Sequence, residues 1–377
     1  MNGRQAVNPF VPGRGHIPPY LAGREAEQGR LLDLFAYLRA GRGAPRDAVL
    51  SGPRGNGKTT LLRWFRREVE ANGRDVDVVW LTPGEVPDLD RLATSLVPPS
   101  RFASLRPDTL SLSAGIGQLG WELGGQSRSL TLLLTARCAR RPLVLLLDEA
   151  HTLEIEVGRA LLNASQAVSS EAPFLLVMAG TPGLQPHLNT MSATFWSRAE
   201  KLGIGRLNEA AATLALVRPL AELVPAIMFD QGALAHVVEE SQRYPYFLQL
   251  WGAALWVAAR SRAATRIDGS VVADAASEFG RQRTAYYEDR REELERQELL
   301  AVAAGVAGAF GGRATLRSSE LNAVIAEALP GETSTAEVLG CRDRLAMVGY
   351  VWKPPDAEAV WQPGIPSLMT YVAGHGC

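Results

Sequence analysis

Residues 47–60 read Asp-Ala-Val-Leu-Ser-Gly-Pro-Arg-Gly-Asn-Gly-Lys-Thr-Thr, and this stretch decides the fold. Asp47 to Ser51 is a short apolar run, read as a strand, and Thr59 to Ala71 has helical spacing. Between them, Gly52, Pro53, Arg54, Gly55, Asn56, Gly57, Lys58 and Thr59 satisfy the pattern G-x-x-x-x-G-K-[ST], with Thr60 following in the first helical turn. Glycines let a backbone wrap closely round an anion and take positive φ. Successive N–H groups and the helix N-terminus then face the phosphates. Lys58 adds a point charge beside the β- and γ-phosphates, and the Thr59 hydroxyl is placed to bind Mg²⁺.

The matching element is Leu143-Val-Leu-Leu-Leu-Asp148-Glu149-Ala-His151. An all-apolar strand is buried on both faces, and its carboxyl end opens on the ligand crevice of an α/β sheet. Two acids there are costly unless a cation pairs with them. Asp148 is therefore assigned to the Mg²⁺ shell, and Glu149 to orienting and activating the attacking water, in hydrolysis of ATP. Thr181 follows the run Phe174 to Ala179, where a polar residue would sense the γ-phosphate; a turn residue before Pro182 is the plainer alternative. Arg198 stands just ahead of the next strand and is a candidate for reaching the γ-phosphate of a neighbouring subunit, with a solvated surface arginine as its alternative. Arg206 is a weaker candidate. Arg243 opens the segment Arg-Tyr-Pro-Tyr-Phe-Leu-Gln249 and is a candidate for approaching the nucleotide from a lid, against simple packing of a helix start. His151 is read as a capping or packing residue as readily as a functional one.

Outward from these motifs, strands are expected at 47–51, 76–81, 143–147, 174–179 and 201–206. Helices alternate with them, which implies a parallel sheet covered on both faces. A helix after Gly23-Arg24-Glu25 should bury Leu31, Leu32, Leu34, Phe35 and Leu38. Leu110 to Leu123 reads as a small hairpin insert, and residues 1–22, rich in Pro and Gly, as an extended arm. After residue 207 strands disappear from the reading, and helices are expected at 208–217, 230–240, 246–260 and 269–298. From about 299, three helices followed by a short hairpin give the order of a winged helix-turn-helix.

Composition sets limits on function. Apolar residues make up 46% and charged residues 21%, and the net charge is −1, so no global basic field announces a nucleic-acid partner. The three cysteines, Cys138, Cys341 and Cys377, are too few and too scattered for a disulfide framework or a zinc site, and fit a reducing, cytoplasmic setting. The first residues lack the apolar core of a signal peptide, and no apolar run approaches the ~20 residues that span a bilayer. Basic charge is almost all arginine; the lysines are Lys58, Lys201 and Lys353.

With these elements assembled, the chain resembles the AAA+ P-loop ATPases. The branch is similar to the bacterial and archaeal ATP-binding proteins related to STAND signalling ATPases and origin-recognition-type ATPases. The residues that carry the resemblance are Asn8-Pro-Phe10, Gly23-Arg24-Glu25, the phosphate loop, Leu147-Asp148-Glu149-Ala-His151, Ala179-Gly-Thr-Pro-Gly183 and Tyr244-Pro-Tyr-Phe-Leu-Gln249. It implies a five-stranded α/β core at 23–207, a helical lid at 208–290, a winged helix at 291–377, and adenine held near Gly23 and Arg24. Related chains commonly carry Gly-Gly before the Tyr-Pro, where this one has Gln242-Arg243. A DEAH helicase is set aside, because the second motor domain of that class is missing.

Two uses of the ATPase stay open. In one, Arg342, Arg344 and Lys353 of the winged helix contact DNA. In the other, the module binds protein, as in a signalling, regulatory or phage-defence ATPase. Residues 286–377 hold eight Lys and Arg against thirteen Asp and Glu, which is the wrong sign for a DNA reader. A homo-oligomer is a further possibility, and a small-molecule kinase is disfavoured for want of an acceptor pocket.

Overall fold

The computed structural model describes residues 7–13, 15–73, 75–97, 125–169, 171–357 and 359–375. The hairpin expected at 110–123 lies outside the described residues. The chain divides into two compact units, one formed by residues 27–51 and 64–202, the other by 1–26, 52–63 and 203–377.

In the first unit the strands are β1 (Ala48–Ser51), β2 (Asp77–Leu81), β3 (Leu143–Leu147), β4 (Phe174–Gly180) and β5 (Glu200–Gly203), in spatial order β2-β3-β4-β1-β5. β1 and β3 each run parallel to the central β4, and β2 runs parallel to β3. Every residue of β1, β3 and β4 is buried, which explains their unbroken apolar sequences; edge strand β2 is only partly covered and carries Asp77. The helices are α1 (Glu25–Arg39), α2 (Lys58–Asn72), α3 (Leu89–Ser95), α4 (Gly125–Cys138), α5 (Ile155–Val168), α6 (Leu184–Met191) and the short α7 (Phe195–Arg198). α1 buries Leu31, Leu34, Phe35 and Leu38, the i, i+3, i+4, i+7 set. Leu32, expected with them, falls about 100° off that stripe and is 38% exposed.

The second unit holds helices α8 (Glu209–Ala221), α9 (Gln231–Glu240), α10 (Pro245–Ser261) and α11 (Gly269–Arg296), followed by α12 (Leu300–Phe310), α13 (Ser318–Ala328), α14 (Thr335–Met347) and α15 (Pro366–His375). The hairpin expected at 349–352 and 359–361 is present, and among the described residues short strands that were not expected also follow residue 207. β6 (Met228–Phe229) pairs in parallel with β7 (Arg266–Ile267), and β8 (Leu316–Arg317), β9 (Val351–Trp352) and β10 (Val360–Pro363) form an antiparallel sheet in the order β8-β10-β9. Two-residue strands are too short to show a period in sequence. The expected arm is pinned down: Phe10 is buried against Gly252 of α10, Asn8 Nδ2 donates to the Ala253 carbonyl, and Val11 N–H donates to Gln249 Oε1. Trp251 stacks on Phe279 at 4.2 Å, joining α10 to α11.

Asp47 anchors the start of β1. Its carboxylate accepts from Ser165 Oγ of α5 and from Leu176 N–H of β4 at 2.9 Å. Desolvation outweighs these donors and pushes its pKa up from 3.8 to about 6. The folded chain therefore holds this proton more tightly than the unfolded chain, and stability falls as pH rises from about 4 to about 6. Asp47→Asn, which keeps an acceptor for Leu176, should be more stable than the parent by on the order of 2–3 kcal/mol at pH 7 and converge with it near pH 4. Urea denaturation at the two pH values checks this.

Candidate functional site

A backbone loop that aims its N–H groups at an anion must place its carbonyls elsewhere, because C=O and N–H of a trans peptide point in opposite directions. In the phosphate loop each carbonyl from Gly52 to Gly57 has a donor. Lys58 Nζ reaches the carbonyls of Gly52 and Pro53 at 2.8 and 2.9 Å. The Tyr244 hydroxyl donates to the Arg54 carbonyl, and Tyr246 N–H to that of Gly55 at 3.2 Å. Arg24 Nη2 donates to the Asn56 carbonyl at 3.1 Å, and Leu61 N–H to that of Gly57 at 2.9 Å. With the carbonyls tied outward, the N–H groups of residues 54–58 face the other way, into the loop.

The glycines supply the conformations this requires. Gly55 and Gly57 have φ of +82° and +91°. Asn56 is 1% exposed, and neither its Oδ1 nor its Nδ2 finds a hydrogen-bond partner among the described residues. An inward-facing set of amides, a buried ammonium and an orphaned buried amide fit a polyanion with an associated cation. Thr59 and Thr60 are half-buried in the first turn of α2. The arm passes Thr59: a Cβ built on Gly15 would stand 2.5 Å from Thr59 Cγ2.

Arg24 does not reach outward. It is 5% exposed, and besides Asn56 it donates to the Gly205 carbonyl at 2.5 Å, so it braces the loop against the exit of β5. Gly23 (φ +64°) packs so closely on Ala211 and Leu207 that a Cβ there would clash. Gln242 and Arg243 both adopt positive φ, 51° and 57°, which is the physical reason that glycines suit these positions. Arg243 is exposed, and its carbonyl accepts from Leu207 N–H. Burial first, and then the Arg243 guanidinium, lower the pKa of Arg206, so two cations gather between the end of β5 and the start of α8.

At the sheet, Ser51 is in register with Gly180, and Leu147 with Met178. The carboxyl ends of β1, β4 and β3, which lead into Gly52, Thr181 and Asp148, therefore share one edge. Asp148 is 6% exposed and accepts from Glu149 N–H at 3.0 Å. Glu149 sits in the left-handed region (φ 53°), an uncommon conformation for a non-glycine, with a side chain 47% exposed. His151, left undecided between packing and function in the sequence, is 4% exposed and lies between two candidates. Its Nδ1 is 3.5 Å from Glu149 Oε2 and accepts from Thr181 N–H at 3.4 Å. Thr181 is fully buried. Arg198 is at the opposite edge, exposed, lining a cavity of about 330 Å³ with Arg46, Asp47 and Gln166.

In the C-terminal part, Arg342 is stacked over Trp361 (5.1 Å to the ring centre) and donates to Asn322 Oδ1, leaving its side chain 19% exposed. Arg344 donates to the Gln297 carbonyl, and Lys353 is half-buried. Cys138 and Cys341 are free and buried. Among the described residues no helix is long and apolar enough to cross a membrane.

Residues 20–178 match a model of the AAA ATPase domain family. The fold is similar to that of a Walker-type ATPase from Pyrococcus abyssi (TM-score 0.59, 16% identity, covering 93% of this chain and 96% of that one). It is also similar to the ORC2 protein of Aeropyrum pernix in ADPNP–ADP complexes (TM-score 0.57, 15% identity, 97% and 96% covered). The search of curated proteins returned no match. The family match covers residues 20–178, fewer than half of the chain, and the likeness to these solved structures shows a shared fold.

A Cβ built on Gly55 would stand 2.9 Å from Tyr244 Cε1 and 3.1 Å from Tyr246 Cβ, on a backbone that disfavours side chains. Gly55→Ala should therefore destabilise the nucleotide-free chain by about 1–3 kcal/mol in urea denaturation.

Proposed function

We propose that this chain binds ATP in the loop Gly52–Thr60 and hydrolyses it, using the cycle to switch a C-terminal winged-helix module that controls a protein partner. The observation that carries the reading is the complete disposal of the loop carbonyls, which leaves the amides of residues 54–58 for a triphosphate. Lys58 holds the phosphates, with its two carbonyl bonds exchanged in part for phosphate oxygens. Mg²⁺ would neutralise charge between the phosphates, and Thr59 and Asp148 are the residues to hold it. Glu149, its carboxylate 3.5 Å from His151 Nδ1, orients the attacking water and takes its proton. Thr181 and the buried His151 beside it link Glu149 to β4, a route for reporting γ-phosphate loss.

Gly23 and Arg24 act on the nucleotide through the loop they brace, and Arg243, with Arg206 beside it, offers positive charge from the lid. Arg198 lies at the sheet edge away from Asp148, so it acts only on a nucleotide held by another copy in a homo-oligomer. The partner is read as protein, in a signalling or regulatory role, because Arg342 and Arg344 already serve internal partners and the C-terminal module is acidic.

Lys58→Ala should weaken ATP binding at least tenfold in calorimetry. Glu149→Gln should bind like the parent and lose at least a hundredfold in turnover, read by phosphate release. An active Glu149→Gln protein removes Glu149 from its role without touching the binding site. Titration of the full chain with duplex DNA at low and moderate salt, with and without ATP, should show no saturable binding. Tight, salt-sensitive binding would restore the DNA reading.

A further inference from the structure

The phosphate loop is held from its outer side by the C-terminal half of the chain. Arg54, a variable position of the loop motif, turns its guanidinium outward, with Nη2 3.3 Å from Glu293 Oε1 near the end of α11. The other Glu293 oxygen accepts from Arg290 at 2.6 Å, and Arg290 lies over the Tyr286 ring. The Glu293 side chain is 17% exposed and that of Arg54 36%, so the pair is half-buried, with water reaching its arginine side. One further contact reaches the loop backbone. Gly349 (φ +77°), just past α14, faces this backbone, where a Cβ on it would make only ordinary contact, 3.7 Å from Arg54 N and 3.9 Å from Pro53 Cα.

The same module covers the exit of β5. A Cβ on Gly205 would come within 2.9 Å of the Trp352 ring, and one on Gly203 within 2.8 Å of Pro355. The elements that carry these contacts, α11, α14 and β9, are continuous with the module's core through Tyr350, Val351 and Leu345.

We propose that Glu293 is a positioning residue for the nucleotide loop, and that the Arg54–Glu293 pair couples nucleotide occupancy to the seating of the C-terminal module. This rests on the reading of residues 52–60 as the ATP site. The carboxylate fixes where the Arg54 side chain goes, and Tyr244 fixes the carbonyl of the same residue. The peptide that presents the Gly55 N–H inward is thus held at both ends. A module seated on Pro53 and Arg54 favours the loop geometry that binds phosphate. By reciprocity of linkage, bound nucleotide then favours the seated module. Glu293 touches no phosphate and acts only through Arg54.

The test uses the full-length parent, Glu293→Gln and Glu293→Asp. Affinity for ATP–Mg²⁺ is measured by calorimetry, and hydrogen exchange over residues 345–365 is followed with and without ATP–Mg²⁺. Glu293→Gln should bind ATP about three- to tenfold more weakly. It should also lose the nucleotide-induced protection of 345–365 that the parent shows, while Glu293→Asp, which keeps the charge, should recover part of both. A Glu293→Gln protein with parental affinity and parental protection change overturns the proposal, as does a parent that binds ATP without any response in 345–365. A parent that binds no ATP overturns the ATP site itself and the coupling with it.

Discussion

The structure depends on where six carbonyl groups go. A loop that wraps an anion has to turn its amides inward against their preference for water or for regular secondary structure. It holds that shape only when every oppositely directed C=O is paired. Here the donors come from distant parts of the chain: Arg24 before α1, Lys58 and Leu61 in α2, and Tyr244 and Tyr246 at the start of α10. No short segment supplies them all: the N-terminal segment, α2 and the start of α10 each contribute.

The sheet supplies the other half. Central strands buried on both faces admit no charge until they end, and where β3 ends the acids appear. Parallel register brings Ser51, Leu147 and Gly180, the ends of β1, β3 and β4, to one edge from positions about 30 to 130 residues apart. The strained backbone of Glu149 belongs to the same economy of space, since a left-handed residue turns the chain sharply without a glycine.

What could be read from sequence was what depends on local spacing. The loop pattern, the Leu-rich run ending in Asp148 and Glu149, and the helix Thr335–Met347 are all patterns within a dozen residues. Two-residue strands such as β6 and β7 gave no periodic signal, and Leu32 shows how an apolar residue one step off the stripe is misassigned. The pairing of Arg54 with Glu293, 239 residues away, had no local signature. The resemblance ties Gly23 and Arg24 to adenine, and the bonds of the Arg24 guanidinium to the Asn56 and Gly205 carbonyls are a further role with no local signature. Tyr244 was legible as aromatic packing, but its hydroxyl, which fixes the loop, was not. The Gln242-Arg243 departure was visible in sequence, and its positive φ values explain it.

Trp352 lies on Gly205, and Pro355 on Gly203, with no room for a side chain at either glycine. A surface already covered by its own chain is visible to an outside molecule only in the fraction of copies that have let go. The measured affinity for a ligand of that surface is the intrinsic affinity multiplied by that fraction. Weak association of the isolated protein with such a ligand would then report internal competition rather than poor complementarity.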